Sequence, residues 1–314
     1  MKILFMGTPD FASACLDALI KENMQVAAVV TQPDKKQGRG MKFAFSDVKK
    51  YALEKELPIY QPETLKDGAI MGLLEEINPD VIAVVAYGKI LPEYVLNYPK
   101  YGCVNVHGSL LPKYRGAAPI QRAVLNGDKV TGVTTMLMDK GMDTGDMLYT
   151  EKLEIGENMT TGEAFDALAL LGGKLLVKTL KDLEAGLVTP IKQNHEEATH
   201  ADKITNEECL VDFSLDCSAV HNRIRGLSPF PGAFTYLDGK VVKLYNSKSG
   251  NVEAKGKPGE VISATAKTGV EVACGKGSVI ITAFKPEGKG IMTSADMING
   301  RKIAVGCVFE NKGI

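Results

Sequence analysis

Five short runs in the first 190 residues, Lys2–Met6, Gln25–Thr31, Val81–Ala86, Gly102–His107 and Thr131–Met138, are rich in apolar and β-branched residues and end in turn residues. Between them, Phe11–Glu22, Ser46–Glu56, Gly68–Ile77 and Pro119–Leu125 carry apolar residues at helical spacing. Near-continuous apolar strands alternating with helices leave few options. They predict an α/β fold with a doubly wound, mostly parallel, Rossmann-like sheet covered on both faces. A long helix over Thr161–Glu184, with Leu and Ala every three to four positions, closes this region.

The pattern then changes. Lys192-Gln-Asn-His-Glu-Glu-Ala-Thr-His-Ala-Asp202 is polar and aperiodic, which reads as a linker. A short helix is expected around Ser218–Gly226. Beyond Pro231-Gly232, strands are expected at Ala233–Leu237, Val241–Ser247, Glu260–Ala264, Val270–Ala273 and Ser278–Phe284. Five such strands between Gly and Asp turns suit a small OB-fold-like β-barrel. The expected organisation is a catalytic domain over 1–190, a linker over 191–206 and a second domain over 207–314.

With a net charge of −1, a wholesale nucleic-acid coat protein is excluded, but a local basic surface is not. Residues 207–314 hold 14 Lys and Arg against 11 Asp and Glu, while the rest hold 23 against 27. The six cysteines, at 15, 103, 209, 217, 274 and 307, have no Cys-x-x-Cys spacing, so free buried thiols are expected and a metal site is not. The opening apolar run is too short for a signal peptide and no run suits a membrane span, so a cytoplasmic protein is expected.

The chemistry-bearing stretch is Asn105-Val-His107-Gly-Ser-Leu-Leu-Pro112, with Asp143 in the turn Asp139-Lys-Gly-Met-Asp-Thr-Gly-Asp146. Strand alternation puts Asn105 and His107 on one face. They stand where the strand yields to a Gly-Ser turn, and open parallel sheets bind ligands at the carboxyl ends of their strands. A lone histidine there would more often be structural, and Asp-Thr-Gly alone often caps a turn. Together, an amide, an imidazole and a carboxylate suit acyl transfer. The first strand ends in Gly7-Thr-Pro-Asp-Phe-Ala12, which lacks the remaining glycines of a dinucleotide fingerprint and so disfavours a nicotinamide enzyme.

The run His107-Gly-Ser-Leu-Leu-Pro-Lys-Tyr-Arg-Gly-Ala-Ala-Pro-Ile-Gln-Arg122 resembles the methionyl-tRNA formyltransferase family. The likeness includes Gly7-Thr-Pro-Asp-Phe-Ala12, Thr31-Gln-Pro-Asp34, Ala86-Tyr-Gly-Lys-Ile-Leu-Pro92, Asp143-Thr-Gly-Asp-Met-Leu148 and Pro229-Phe-Pro-Gly-Ala233, essentially the whole chain. Ser-Leu-Leu-Pro marks the wider folate-dependent formyltransferases; Gly-Ala-Ala-Pro-Ile-Gln and the C-terminal domain narrow the likeness. The resemblance implies formyl transfer from 10-formyltetrahydrofolate to the α-amine of methionyl-tRNA, with no metal and no obligate protein partner. It implies that Asn105, His107 and Asp143 are the catalytic trio and that Ser109, Leu110, Leu111 and Pro112 contact the folate. By the same resemblance, the loop 34–42, with Lys35, Arg39 and Lys42, reaches the tRNA acceptor end, and 207–314 binds tRNA. Two positions depart from the family pattern, which often has Lys at the place of Asn206 and Trp at that of Phe230.

The expected roles follow from the chemistry. Asn105 and His107 can donate to a developing oxyanion, and Asp143 can hold the imidazole and handle protons. Three other readings are a sugar-amine N-formyltransferase, a formyltetrahydrofolate hydrolase and a non-catalytic nucleic-acid-binding module.

Overall fold

The computed structural model describes residues 1–37 and 42–311. The chain divides into two compact units. The first comprises residues 1–116, 132–153 and 165–200, and the second 117–131, 154–164 and 201–314. The segment expected as a linker is therefore divided, with 191–200 in the first unit and 201–206 in the second.

In chain order the elements begin with β1 (Lys2–Gly7), α1 (Asp10–Lys21), β2 (Gln25–Val30), β3 (Lys35–Gln37) and β4 (Lys42–Ala44). They continue with α2 (Asp47–Glu54), β5 (Ile59–Tyr60), α3 (Met71–Ile77), β6 (Val81–Val85), α4 (Glu93–Leu96) and β7 (Cys103–His107). Next come α5 (Pro119–Leu125), β8 (Val130–Leu137), β9 (Met147–Glu154) and α6 (Thr161–Glu184). The seven-stranded sheet runs β5-β2-β1-β6-β7-β8-β9. Its strands from β5 to β7 are parallel, and β8 pairs antiparallel to β7. This is the mostly parallel, doubly wound sheet that the apolar runs predict.

Strand order reverses between β1 and β6, where Gly7 pairs Val85. Such a switch point opens a crevice at the carboxyl ends of the strands, and β7, carrying Asn105 and His107, lies next to β6. A Cβ on Gly7 would come within 2.7 Å of Ala12 Cβ and 3.0 Å of the Val85 carbonyl oxygen. Gly7 is thus explained by tight strand-to-helix packing.

Leu4, Met6, Ile82 and Val84 bury one sheet face against Leu74, Ile77 and Val95 of α3 and α4. On α6, Gly172 and Gly173 look expensive for a helix interior, at about 1 kcal/mol each relative to Ala. They are required by close approach. A Cβ on Gly173 would meet Ala18 Cβ of α1 at 2.9 Å, and one on Gly172 would meet Val106 Cγ1 at 3.0 Å.

The second unit adds α7 (Cys217–Gly226), β10 (Ala233–Leu237), β11 (Lys240–Ser249), β12 (Val261–Thr265), β13 (Gly269–Ala273), β14 (Ser278–Pro286), β15 (Met292–Thr293) and α8 (Ser294–Asn299). Its sheet runs β10-β11-β14-β13-β12, with β15 on β14, and is antiparallel throughout. Near the chain end, Phe309 N–H donates to the Gly259 carbonyl and Glu310 N–H to that of Tyr236. These bonds bridge the β10 and β12 sides, the barrel-like closure that suits an OB-like domain. The interior is apolar, with Phe309 stacked against Phe213 and Phe284. Here α5 packs on α7, where a Cβ on Gly226 would lie 2.8 Å from Leu125.

The six cysteines are free, and five of them are buried. Among the described residues, no helix is long and apolar enough to cross a membrane, and no group of three His, Cys, Asp or Glu side chains could hold a metal ion.

Candidate active site

The strand β7 is short and fully buried, and Asn105 and His107 stand at its carboxyl end, 8% and 6% exposed. Asn105 pairs in register with Met136 of β8 and Val84 of β6, so sheet hydrogen bonds fix its backbone from both sides. Its side-chain amide hydrogen-bonds no other described group, which leaves both N–H donors for a ligand.

His107 is held differently. Its Nε2 lies 2.8 Å from the Tyr114 carbonyl oxygen. A carbonyl only accepts, so Nε2 carries the hydrogen and donates. The other ring nitrogen, Nδ1, faces Asp143 Oδ1 at 3.6 Å. That separation exceeds a hydrogen bond, but it places a carboxylate beside any proton the ring gains.

Asp143 adopts φ = 54°, in the left-handed region that aspartate tolerates better than most side-chain-bearing residues. Several contacts hold it there. Gly116 N–H donates to Asp143 Oδ2 at 2.8 Å. Gln193 Nε2 donates to the backbone oxygens of Asp143 and Gly145, at 2.9 and 2.8 Å. Gly145 itself sits so close to the Leu137 carbonyl that a Cβ would approach its oxygen to 1.7 Å. The carboxylate therefore stands on a loop clamped from both ends.

Residues 109–112 form a rigid turn at the same sheet edge. Ser109 is fully buried and its hydroxyl donates to the Lys113 carbonyl at 2.6 Å. Thr134 Oγ1 donates to the Ser109 carbonyl at 2.7 Å and accepts from Leu111 N–H at 3.2 Å. Leu111 is buried, while Leu110 and Pro112 are half-buried. Leu110 lies against Gly132, where a Cβ would come within 2.5 Å of its Cδ2. With the Ser109 hydroxyl engaged inside the turn, the segment offers mainly apolar surface and backbone groups, which fits a flat heteroaromatic ring.

Lys35 opens β3 and is exposed, and Lys42 opens β4, antiparallel to it. Arg39 lies outside the described residues. The base of this hairpin is fixed by a polar cluster. Lys49 Nζ donates to Asp34 Oδ2 at 2.5 Å and to Gln61 Oε1 at 2.7 Å, while Gln61 Nε2 donates to Asp34 Oδ1 at 2.8 Å and the Gln32 carbonyl at 2.9 Å. Lys49 and then Gln61 hold the Asp34 carboxyl below its ordinary range. Gln32 and Asp34 in the Thr31–Asp34 motif thus anchor the loop. In the second unit Phe230 is 78% exposed, and Asn206 precedes the short 3-10 turn Glu207–Cys209.

Two side chains of this site are missing from the sequence reading. Arg115 and Gln193 are each only 5% exposed, and Arg115 Nε and Nη2 both donate to Gln193 Oε1, at 3.0 and 2.7 Å. Gln193 lies in a polar stretch with no periodicity, which carries no local signal of burial. Arg115 stands inside the strongest motif, but among residues whose partners sequence does not name.

Comparison with known proteins identifies the family. A formyl transferase family model matches residues 1–180, and a formyl transferase C-terminal domain model matches residues 203–302. A methionyl-tRNA formyltransferase of Clostridium novyi (strain NT) is 47% identical over 311 residues, covering 99% of this chain and 100% of the relative. That of Clostridium botulinum (strain Alaska E43 / Type E3) is 50% identical over 305 residues, covering 96% and 97%. Among solved structures, HypX from Aquifex aeolicus in complex with tetrahydrofolic acid is similar in fold, with a TM-score of 0.66 at 20% identity over 97% of this chain and 48% of that one. The methionyl-tRNA formyltransferase from Clostridium thermocellum has a TM-score of 0.56 at 18% identity, covering 92% of this chain and 100% of that one. Two matched domains and relatives near half identity over nearly its whole length place the chain in the methionyl-tRNA formyltransferase family.

Proposed function

We propose that the chain transfers the formyl group of 10-formyltetrahydrofolate to the α-amine of methionyl-tRNA, with Asn105, His107 and Asp143 as the catalytic groups. The observation that carries the reading is the His107 ring, donating through Nε2 to the Tyr114 carbonyl and turning Nδ1 toward a clamped Asp143 carboxylate. The adjacent Asn105 amide is free to serve a ligand.

The reaction joins the amine nitrogen to the formyl carbon, breaks the bond from that carbon to the folate nitrogen, and moves one proton from the amine to the departing nitrogen. A free α-amine has a pKa near 7.7–8.0, so roughly a seventh is neutral at pH 7. Generating the nucleophile is therefore a minor part of the barrier. The larger demands are the negative charge developing on the formyl oxygen and the proton that must leave the amine. Asn105 supplies the donor for the oxygen. His107 is engaged with Tyr114 through Nε2, so its Nδ1 side, facing Asp143, handles the proton. Positive charge gained there is countered by the carboxylate. Donation from His107 to the formyl oxygen requires either a proton on Nδ1 or release of the Tyr114 carbonyl by Nε2.

The folate rests on Ser109, Leu110, Leu111 and Pro112, in a catalytic domain that corresponds to the first unit, residues 1–116, 132–153 and 165–200, rather than to a continuous 1–190. The tRNA is held by Lys35, Arg39 and Lys42 of the hairpin loop and by residues 207–314. The hairpin follows the carboxyl end of β2, the sheet edge that also carries the trio, and its anchored base supports this assignment. A cytoplasmic location follows from the substrates.

The test is formylation of charged initiator tRNA with 10-formyltetrahydrofolate, run beside charged elongator tRNA, an amino sugar nucleotide, and no acceptor. Transfer to initiator tRNA is expected. Transfer only to the sugar amine, release of formate without acceptor, or no reaction would each overturn the reading in favour of one of its three rivals.

A further inference from the structure

Gln193 uses every hydrogen-bonding capacity of its amide. Both Nε2 hydrogens go to the carbonyls of Asp143 and Gly145, and Oε1 accepts twice from Arg115. The sense of the amide is fixed by chemistry. Turned over, its oxygen would face two carbonyl oxygens and its N–H groups a guanidinium, with nothing left to accept.

Arg115 makes that orientation compulsory, because a guanidinium only donates. It is buried, and among the described residues its side chain contacts no carboxylate. Apart from Gln193 its one side-chain partner among the described residues is His195, whose Nδ1 lies 3.2 Å from Nη2 and must accept. A buried charge without an opposite charge is a poor way to stabilise a fold. It is a good way to orient an amide.

The amide in turn acts on one place. Asp143 holds a left-handed backbone, which aspartate tolerates better than most side chains but which its surroundings must still hold in place. The Gly116 contact fixes the carboxylate oxygen; Gln193 fixes the backbone behind it.

We infer that Gln193 is the positioning residue for Asp143, holding the loop so that the carboxylate stays beside His107 Nδ1, with Arg115 setting the sense of the Gln193 amide. This rests on the proposed formyl transfer and adds to it a part of the machinery drawn from the segment that reads as a linker.

The discriminating variant is Gln193→Glu. Its carboxylate keeps both acceptors for Arg115 and adds an ion pair, but turns an oxygen toward the Asp143 and Gly145 carbonyls. The expected result is a kcat lowered about 10- to 100-fold, the size of a misplacement near 1 Å, with KM for both substrates within about threefold. The same substitution made on Asp143→Asn, read by single-turnover rates, should cost less than about threefold more, because both changes act through one group. If Gln193→Glu lowers the melting temperature by more than about 5 °C, Gln193→Met, which offers neither donor, replaces it in the same cycle. An unchanged kcat, or losses that multiply in the double variant, overturns the inference. Absence of formyl transfer by the unaltered protein instead overturns the proposed function.

Discussion

Replacing Glu208 with Gln tests whether a charge holds α5 to the turn Glu207–Cys209 within the second unit. Glu208 receives Arg122 of α5 on both carboxylate oxygens, through Nη1 on Oε1 and Nη2 on Oε2, and Oε2 also accepts Thr205 N–H at 2.9 Å. Arg122 first, and then the Thr205 amide, bring the Glu208 carboxyl from its ordinary 4.5 down to about 2. At 1.36 kcal/mol per pH unit this is roughly 3 kcal/mol. The two side chains are 31% and 21% exposed, and solvent screening reduces the figure to about 1–2 kcal/mol.

The sign follows from the depressed value. Above the unfolded-state pKa the carboxylate is charged in both states, and the full contribution is present. As pH falls from about 4.5 toward 2, the unfolded chain binds the proton first and the contribution fades. Urea unfolding followed by circular dichroism should show Glu208→Gln less stable by about 1–2 kcal/mol at pH 7, with the gap shrinking to about a tenth to a fifth of that at pH 3. A gap as wide at pH 3 as at pH 7 would refute the electrostatic argument, and no gap at pH 7 would remove the ion pair from the account of stability.

His107→Ala and Asp143→Asn should each lower kcat by about 10²–10⁴, and Asn105→Ala by about 10²–10³, with melting temperatures nearly unchanged; normal turnover in any of them returns that residue to a structural role. Arg39→Ala should weaken formylation of initiator tRNA by roughly 1–3 kcal/mol in kcat/KM with folate binding intact, while Lys35→Ala should mainly lessen the salt dependence; rates equal to the unaltered protein at two salt concentrations would leave the loop as solvated surface. A fragment of residues 1–190 should melt lower than the full chain and be cut by protease in and around α5, since it loses Gln193, the Thr199 contacts to residues 114 and 115, and the α7 face that covers Leu125. Melting of that fragment within a few degrees of the full chain would count against units that interleave along the chain.

The fold was most legible where one element satisfies itself. Strand β6 is fully apolar and β1 is apolar after Lys2, and burial on both faces is the use for such runs. Helix α6 spans Thr161–Glu184 and α5 spans Pro119–Leu125, as their periodicity predicts. The missed elements are short or half-exposed. The strand β9 reads Met-Leu-Tyr-Thr-Glu-Lys-Leu-Glu and lies at the sheet edge, where a polar face meets solvent and no apolar run marks it. The helix α4 has four residues, and β5 has two. Neither is long enough to show a period.

The run from His107 to Arg122 shows why the site was only half legible. It announces itself as a unit in sequence, yet its residues serve three different tasks. Gly116 N–H fixes Asp143, 27 residues away; the Arg115 side chain orients Gln193, 78 away; and Arg122 binds Glu208, 86 away. The chain passes from one compact unit to the other between Gly116 and Ala117, so one motif holds the Asp143 loop on one side and Glu208 on the other. Strand alternation could bring Asn105 and His107 together because it is a local rule. No local rule joins an arginine in a motif to a glutamine in a polar stretch. What physics does supply is a demand: a carboxylate on a left-handed backbone needs donors behind it, and a buried guanidinium needs acceptors. Gln193 meets both demands with a single amide, and that coincidence becomes visible only once the chain is folded.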